Sequence, residues 1–275
     1  MKKRRFSTVL MYLFIIIMSV ISLFPLLWMF RSSLMTPAAI FAVPIQWIIP
    51  TPRLQNFVEA LTLIPFVRYF FNTLLIVVFN IVGNILAASF CAFGFSRIKF
   101  PGRNFIFALV LSTLMIPQTV LLIPQFFGWV LMGFYDTYWP LIAPAFFINA
   151  FFIFMFKQFF STLPMDYDEA AFMDGASYLT IYSKLIMPMS IPVIITVGVF
   201  TFLWTWNDFF GPLIYLRGPE NFTLALGIMS FQALYGSEWH YLMAVSTVVT
   251  IPMIIVYFFA QRAFVQGLTF SGLKG

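Results

Sequence analysis

The sequence predicts an all-α membrane protein of six transmembrane helices, and three observations predict it. The 275 residues are 62% hydrophobic, 20% aromatic and 9% charged, with a mean hydropathy of +0.97, whereas a soluble domain carries roughly 25% charged residues. Six apolar runs each supply about 20 residues, the length of helix that crosses a ~30 Å hydrocarbon core. The runs are continuous and lack the period-two alternation of a β-barrel, which excludes the other route across a bilayer.

The first run, 9–30, follows Lys2, Lys3, Arg4 and Arg5. It is too long for the apolar part of a signal peptide, and Phe30-Arg31-Ser32-Ser33 offers no small-x-small cleavage site, so a retained helix with a cytoplasmic N-terminus is expected. Segment 31–68 then lies outside, where Pro37, Pro44, Pro50, Pro52 and Pro65, interspersed with Trp47 and Phe57, suit a surface segment partly seated in the membrane interface. The second run, 69–96, and the third, 104–127, are joined by a short basic turn through Pro101-Gly102, which makes them antiparallel neighbours. The fourth, 137–156, leads into the only long cytoplasmic loop, 157–188, and the fifth and sixth are 191–215 and 241–261.

This order places Lys2, Lys3, Arg4, Arg5, Arg97, Lys99, Arg103, Lys157, Lys184, Arg262 and Lys274 inside, and Arg31, Arg53, Arg68 and Arg217 outside. Eleven of fifteen basic residues on one side is a positive-inside bias. The net charge of +6 therefore reads as a topology signal and a fit to anionic headgroups of the lipid bilayer, and needs no nucleic acid. Trp28, Trp129, Trp139 and Trp239 fall near outer helix ends, as an aromatic belt places them. Residues 1–275 read as one transmembrane domain with a C-terminal tail at 262–275, both termini being cytoplasmic.

Within the spans most features read as structural. Gly83, Ala87 and Cys91 recur every four residues and allow another helix to approach. Pro117, Pro124, Pro144, Pro212 and Pro252 can kink helices. A single cysteine, Cys91, forms no intrachain disulfide, and a single histidine, His240, builds no multi-histidine metal site. No phosphate-binding loop, Gly-x-Ser-x-Gly elbow or His-Glu-x-x-His helix occurs, so no catalytic residue, metal or cofactor of its own is expected. Asp208 lies ~26 Å along a helix begun at residue 191, toward the outer end of the fifth span. A carboxylate in hydrocarbon costs on the order of 2.5 to 3.5 kcal/mol at a helix centre, so it is expected to face the bundle interior or water.

The long loop is polar against this background. Asp166, Asp168, Glu169 and Asp174 are four of the nine acids of the chain, gathered in one short window. Two short helices are expected: the first capped by Asp166 or Asp168 and stopped at Gly175, the second capped by Ser177 and ended by Pro188. Tyr178, Ile181, Tyr182, Leu185 and Ile186 form the apolar stripe of the second. A passive linker on an anionic surface calls for basic residues, whereas these carboxylates suit a protein partner.

Glu169-Ala170-Ala171, then Gly175, then Leu185-Ile186-Met187-Pro188, with matched spacing, resembles the cytoplasmic signature of permease subunits of binding-protein-dependent ABC importers. Leu185 and Met187 depart from the usual isoleucine and leucine, both apolar exchanges. Asp174-Gly175-Ala176-Ser177, Trp204-Thr205-Trp206-Asn207-Asp208 and the terminal segment 267–275 resemble the carbohydrate-importing branch, and within it the shorter, MalG-type permease.

That resemblance implies the type I ABC importer permease fold, with a coupling-helix hairpin between helices 4 and 5, in the bacterial or archaeal cell membrane. It implies a non-catalytic subunit that moves a carbohydrate (an oligosaccharide, a monosaccharide or a glycerol phosphate) into the cytoplasm by alternating access. Its implied partners are a second permease subunit in a heterodimer, a cytoplasmic ATPase dimer that binds the ATP, and an extracytoplasmic sugar-binding protein. Glu169, Ala170, Ala171, Phe172, Asp174 and Gly175 become the ATPase-coupling surface, and Gly272, Leu273, Lys274 and Gly275 a tail that contacts the ATPase. Trp204, Trp206, Asn207 and Asp208 offer the stacking faces and polar groups of a sugar pathway, or alternatively an outer gate or packing element. Another ABC cargo, such as polyamines or peptides, stays open. A stand-alone secondary transporter would call for pairs of intramembrane charges, and few are present.

Overall fold

Proline and asparagine decide where the apolar runs break. In the computed structural model, which describes residues 2–49, 51–147, 149–234 and 238–272, every regular element among the described residues is helical. The first two spans are single long helices, α1 (Lys2–Ser33) and, after a short helix α2 (Gln55–Leu63), α3 (Phe66–Arg97). The turn after α3 closes on Gly102, whose φ of +76° suits a residue without a side chain.

The third run is bent where a straight helix over 104–127 was expected. α4 (Arg103–Ser112) tightens into a 3-10 turn at Thr113–Met115, and α5 (Gln118–Leu131) leaves at 95°. Pro117 is the cause: its ring excludes helical backbone at Ile116, which is extended at φ −83°, ψ 116°. The fourth run, expected as one helix over 137–156, starts as short turns at Trp139–Ile142 and Ala143–Phe146. It becomes regular only in α6 (Ala150–Phe160), where the Asn149 side chain accepts the Phe152 N–H at 3.3 Å.

A helical hairpin follows as α7 (Asp166–Met173) and α8 (Tyr178–Met189). Pro188 does not end α8 but lies within its last turn, just after a π turn over Ile181–Ile186 that widens the helix ahead of the ring. The break comes at Ser190, and α9 (Ile191–Trp206) departs at 78°. The fifth run was expected to continue to 215. It stops at Trp206, and a separate helix α10 (Phe210–Tyr215) follows. Two features forbid continuation: Pro212 lacks the N–H that would bond back to the Asp208 carbonyl, and the Asp208 side chain instead accepts the Gly211 N–H at 3.1 Å. α11 (Leu224–Leu234) precedes α12 (Trp239–Gly272), which runs beyond the expected 241–261.

Among the described residues, four helical stretches are long and apolar enough to cross a membrane, the turns and helix of Trp139–Phe160 being counted together, or up to six if each bent pair is one span. The chain gathers into two compact units, Met1–Val67 with Gly227–Pro252, and Arg68–Leu226 with Met253–Gly275. In the first, Asn56 of α2 donates to the Ser33 and Met35 carbonyls at 2.8 and 2.9 Å, and Ala60, Ala244 and Val245 form a small core. In the second, Phe152, Ile153, Phe156 and Phe160 of α6 are fully buried among Ala88, Ala92 and Phe93 of α3, Ile181 and Ile186 of α8, and Val197 of α9. Lipid tails are as apolar as these side chains, so close packing rather than water expulsion holds such helices together. Gly83 shows how close: a Cβ there would lie 2.8 Å from the Phe146 ring.

Candidate functional site

The hairpin turn is built by local rules. The Gly175 N–H donates to the Phe172 carbonyl at 3.0 Å and the Ala176 N–H to the Ala171 carbonyl at 2.9 Å, a Schellman ending that needs Gly175 in the left-handed region, at φ +79°. Ser177 caps α8, its Oγ accepting the Thr180 N–H at 3.3 Å. Glu169, Ala170, Phe172, Asp174 and Gly175 are exposed, while Ala171 packs against the core. Met173 is 89% exposed, and the Phe172 ring meets Tyr178 edge-on at 5.0 Å between centroids. The outward face is thus an apolar tip rimmed by the carboxylates of Asp166, Glu169 and Asp174.

The expectation that all four acids of this window reach out, with Asp166 or Asp168 as the cap, is corrected. Met165 occupies the N-cap position, without a side-chain cap, and Asp168 turns inward. Its carboxylate lies 3.3 Å from the Arg97 guanidinium, the two side chains being 5% and 3% exposed. Burial pushes the Asp168 carboxyl above the usual carboxylate range, and the Arg97 charge pulls it back. Arg97 also donates to the Leu163 carbonyl at 3.1 Å and meets the Met165 sulfur at 2.6 Å. Further into α3, Ser89 Oγ and the Tyr182 hydroxyl share a buried hydrogen bond of 2.7 Å. Sequence reasoning counted Arg97 only as a topology charge. The available signal was helical spacing: Asp168 lies three residues before Ala171 and so shares its face.

The aromatic and polar cluster of the fifth span does not converge. Trp204 is exposed and stacks on Phe152 at 5.2 Å, whereas Trp206 is buried and stacks on Phe202 at 5.2 Å. Asn207 is exposed and donates to the Leu203 carbonyl at 2.7 Å. Asp208 instead borders a cavity of about 20 Å³ with Thr73, Asn80, Thr205 and Thr223. That space has room for about one water, whereas small-molecule pockets run from about 300 Å³. Asn80 donates to Thr205 Oγ1 at 3.2 Å, leaving its own carbonyl oxygen buried without a hydrogen-bond partner.

A second polar knot, missed in the sequence, ties the loops around Asp136 and Arg217 of the same unit. Asp136 adopts φ +59°, and its Oδ1 accepts the Arg217 N–H at 2.9 Å, the Gly218 N–H at 3.1 Å and the Asn221 amide at 3.2 Å. The Arg217 backbone bond is the main cause holding its carboxyl below the usual range. Asn72 holds the far end of that loop through the Glu220 and Phe222 carbonyls, both at 2.9 Å. Of the expected tail, Gly272 ends α12, and Leu273, Lys274 and Gly275 lie outside the described residues.

Comparison with known proteins agrees with this architecture. The chain is 32% identical over 267 residues to the arabinooligosaccharides transport system permease protein AraQ of Bacillus subtilis, covering 96% of this chain and 94% of that protein. It is 31% identical over 284 residues to the galactooligosaccharides transport system permease protein GanQ of the same organism, covering 100% and 99%. It is also 31% identical over 283 residues to the inner membrane ABC transporter permease protein YcjP of Escherichia coli, covering 99% of both. The fold is shared with a chain of the crystal structure of a bacterial ABC transporter involved in the import of the acidic polysaccharide alginate. That likeness has a TM-score of 0.81 at 22% identity and covers 95% of this chain and 98% of that one. Residues 84–270, which span the hairpin, the fifth run and most of α12, match the family of binding-protein-dependent transport system inner membrane components, and the chain belongs to that family.

Proposed function

We propose that this chain is the non-catalytic membrane permease of an ATP-driven importer, that its cargo is a carbohydrate, and that α7 is the surface on which a separate cytoplasmic ATPase docks. One observation carries the docking reading: the apolar tip of Phe172 and Met173, ringed by Asp166, Glu169 and Asp174, is exposed at a hydrogen-bonded helix ending. Such a patch fits a groove with apolar walls and a basic rim. Glu169 is the residue suited to pair with a cation there, and Ala170 allows close backbone approach. The ATPase changes affinity for ATP between its two states, and this chain transmits the resulting displacement. Oligosaccharide permeases among the relatives support the carbohydrate cargo. A second permease subunit, an ATPase dimer and an extracytoplasmic sugar-binding protein complete the transporter, with both termini of this chain in the cytoplasm.

Co-expression with the candidate partner subunits tests this reading. The ATPase co-purifies with the wild-type chain and is lost from a Glu169→Lys, Gly175→Pro double variant, together with ATP-dependent uptake. Full uptake by that variant removes the docking role. For the cargo, uptake into proteoliposomes is compared for labelled arabino- and galacto-oligosaccharides, a polyamine and a short peptide. Uptake of the polyamine or the peptide alone removes the carbohydrate assignment.

A further inference from the structure

We propose that Arg97 and Asp168 are the positioning pair through which movement of α7 is delivered to α3, with Ser89 and Tyr182 as a second tie; this rests on the docking role proposed for α7. α7 turns most of its surface outward, and its inward side presents Asp168 and Ala171. Its attachment therefore depends on few contacts. The Arg97 guanidinium grips this end of the hairpin at three points, the Leu163 carbonyl and the Met165 sulfur just before α7 and the Asp168 carboxylate within it.

The chemistry of these contacts suits force transmission. An apolar contact can slide with little change in energy, but a buried guanidinium and carboxylate cannot separate without stranding two desolvated charges. The pair therefore resists displacement in both directions. Ser89 lies two turns before Arg97 on the same helix, ~12 Å away along its axis at 1.5 Å per residue. Its hydrogen bond to Tyr182 is buried, and the Tyr182 ring is further gripped edge-on by Phe90 and Phe93 at 5.5 and 5.4 Å. Two ties at different heights fix the angle of the hairpin against α3 as well as its distance. Tyr182 also sits in the π turn of α8, so the second tie falls where that helix departs from regular geometry. A shift of α7 then carries α3, the longest span of this unit, as a lever.

The test uses the complete transporter in lipid nanodiscs and needs no cargo. Hydrogen exchange along α3 and α7 is compared with and without ATP, and retention of the ATPase is measured in parallel. Asp168→Asn keeps the shape and removes the charge, while Arg97→Lys keeps the charge and loses the three-point grip. Both variants are expected to keep the ATPase and the ATP response of α7, while the ATP-induced change in α3 falls about tenfold. The exchanged pair, Arg97→Asp with Asp168→Arg, is expected to restore part of it, which a general loss of packing would not allow. A normal α3 response in either single variant overturns the proposal, and so does release of the ATPase, which would make the pair part of docking. Glu169→Lys separates the two readings. If it releases the ATPase while Asp168→Asn responds normally, docking stands and the positioning pair falls. If it retains both the ATPase and the α7 response, the docking reading itself falls.

Discussion

Gly175 and Asp136 both have positive φ, for different reasons and with different consequences when replaced. Nothing lies within 4 Å of a Cβ built on Gly175, so Gly175→Ala meets only the backbone cost of the left-handed region, about 1 kcal/mol. We expect that variant to melt about 3 °C lower in detergent, as followed by tryptophan fluorescence. Gly175→Asn should fall between it and the wild type, because asparagine tolerates that region. Asp136 holds its position through a charge. Its carboxyl titrates below the ordinary value of about 3.9, so its contribution is complete above that pH and disappears as pH falls through the depressed value. Asn tolerates the same backbone, so Asp136→Asn should keep the loop but flatten the dependence of melting temperature on pH below about 4. An unchanged pH profile in this variant would show that Asp136 is not the titrating group.

At the scale of elements, the critical contacts are the ones a membrane makes expensive to lose or to crowd. Asn56 is fully buried and satisfies two carbonyls at the end of α1, so Asn56→Ala strands both and should destabilise its unit by about 1–3 kcal/mol. Asn56→Gln, which keeps the amide, should lose less; equal melting of the two variants would assign the effect to packing. Gly83 faces the Phe146 ring and the Ala145 backbone at 2.8 to 3.0 Å from where a Cβ would sit. A bulky side chain must force α3 away from the Ala143–Phe146 turn, and Gly83→Leu should cost about 1–3 kcal/mol or more. Wild-type stability in Gly83→Leu would mean that this contact gives way freely. Both contacts lie between segments remote in sequence, whereas the ends of α7 and α8 follow from neighbouring residues.

For the whole molecule, the charge asymmetry makes an orientation prediction. In a Cys91→Ser background, a cysteine at Arg217 should react with an impermeant maleimide in intact cells, and one at Lys99 only after permeabilisation. The reverse pattern would invert the topology and put the acidic turn on the side without ATP. By itself, the sequence determined the solvent, the number of apolar runs, the positive-inside bias and the turn from Gly175 to Ser177. Each of these depends on composition or on residues a few positions apart. Even the bend after Met115 was prefigured by Pro117, though not its angle. Only the tertiary structure decided that Asp168 turns in to Arg97, that Trp204 and Trp206 face different surroundings, and that Asp136 ties down a loop beginning at Arg217. Side-chain direction in a membrane protein is chosen by which helix happens to lie alongside. That is a property of packing between distant segments, and a linear pattern of apolar residues does not encode it locally.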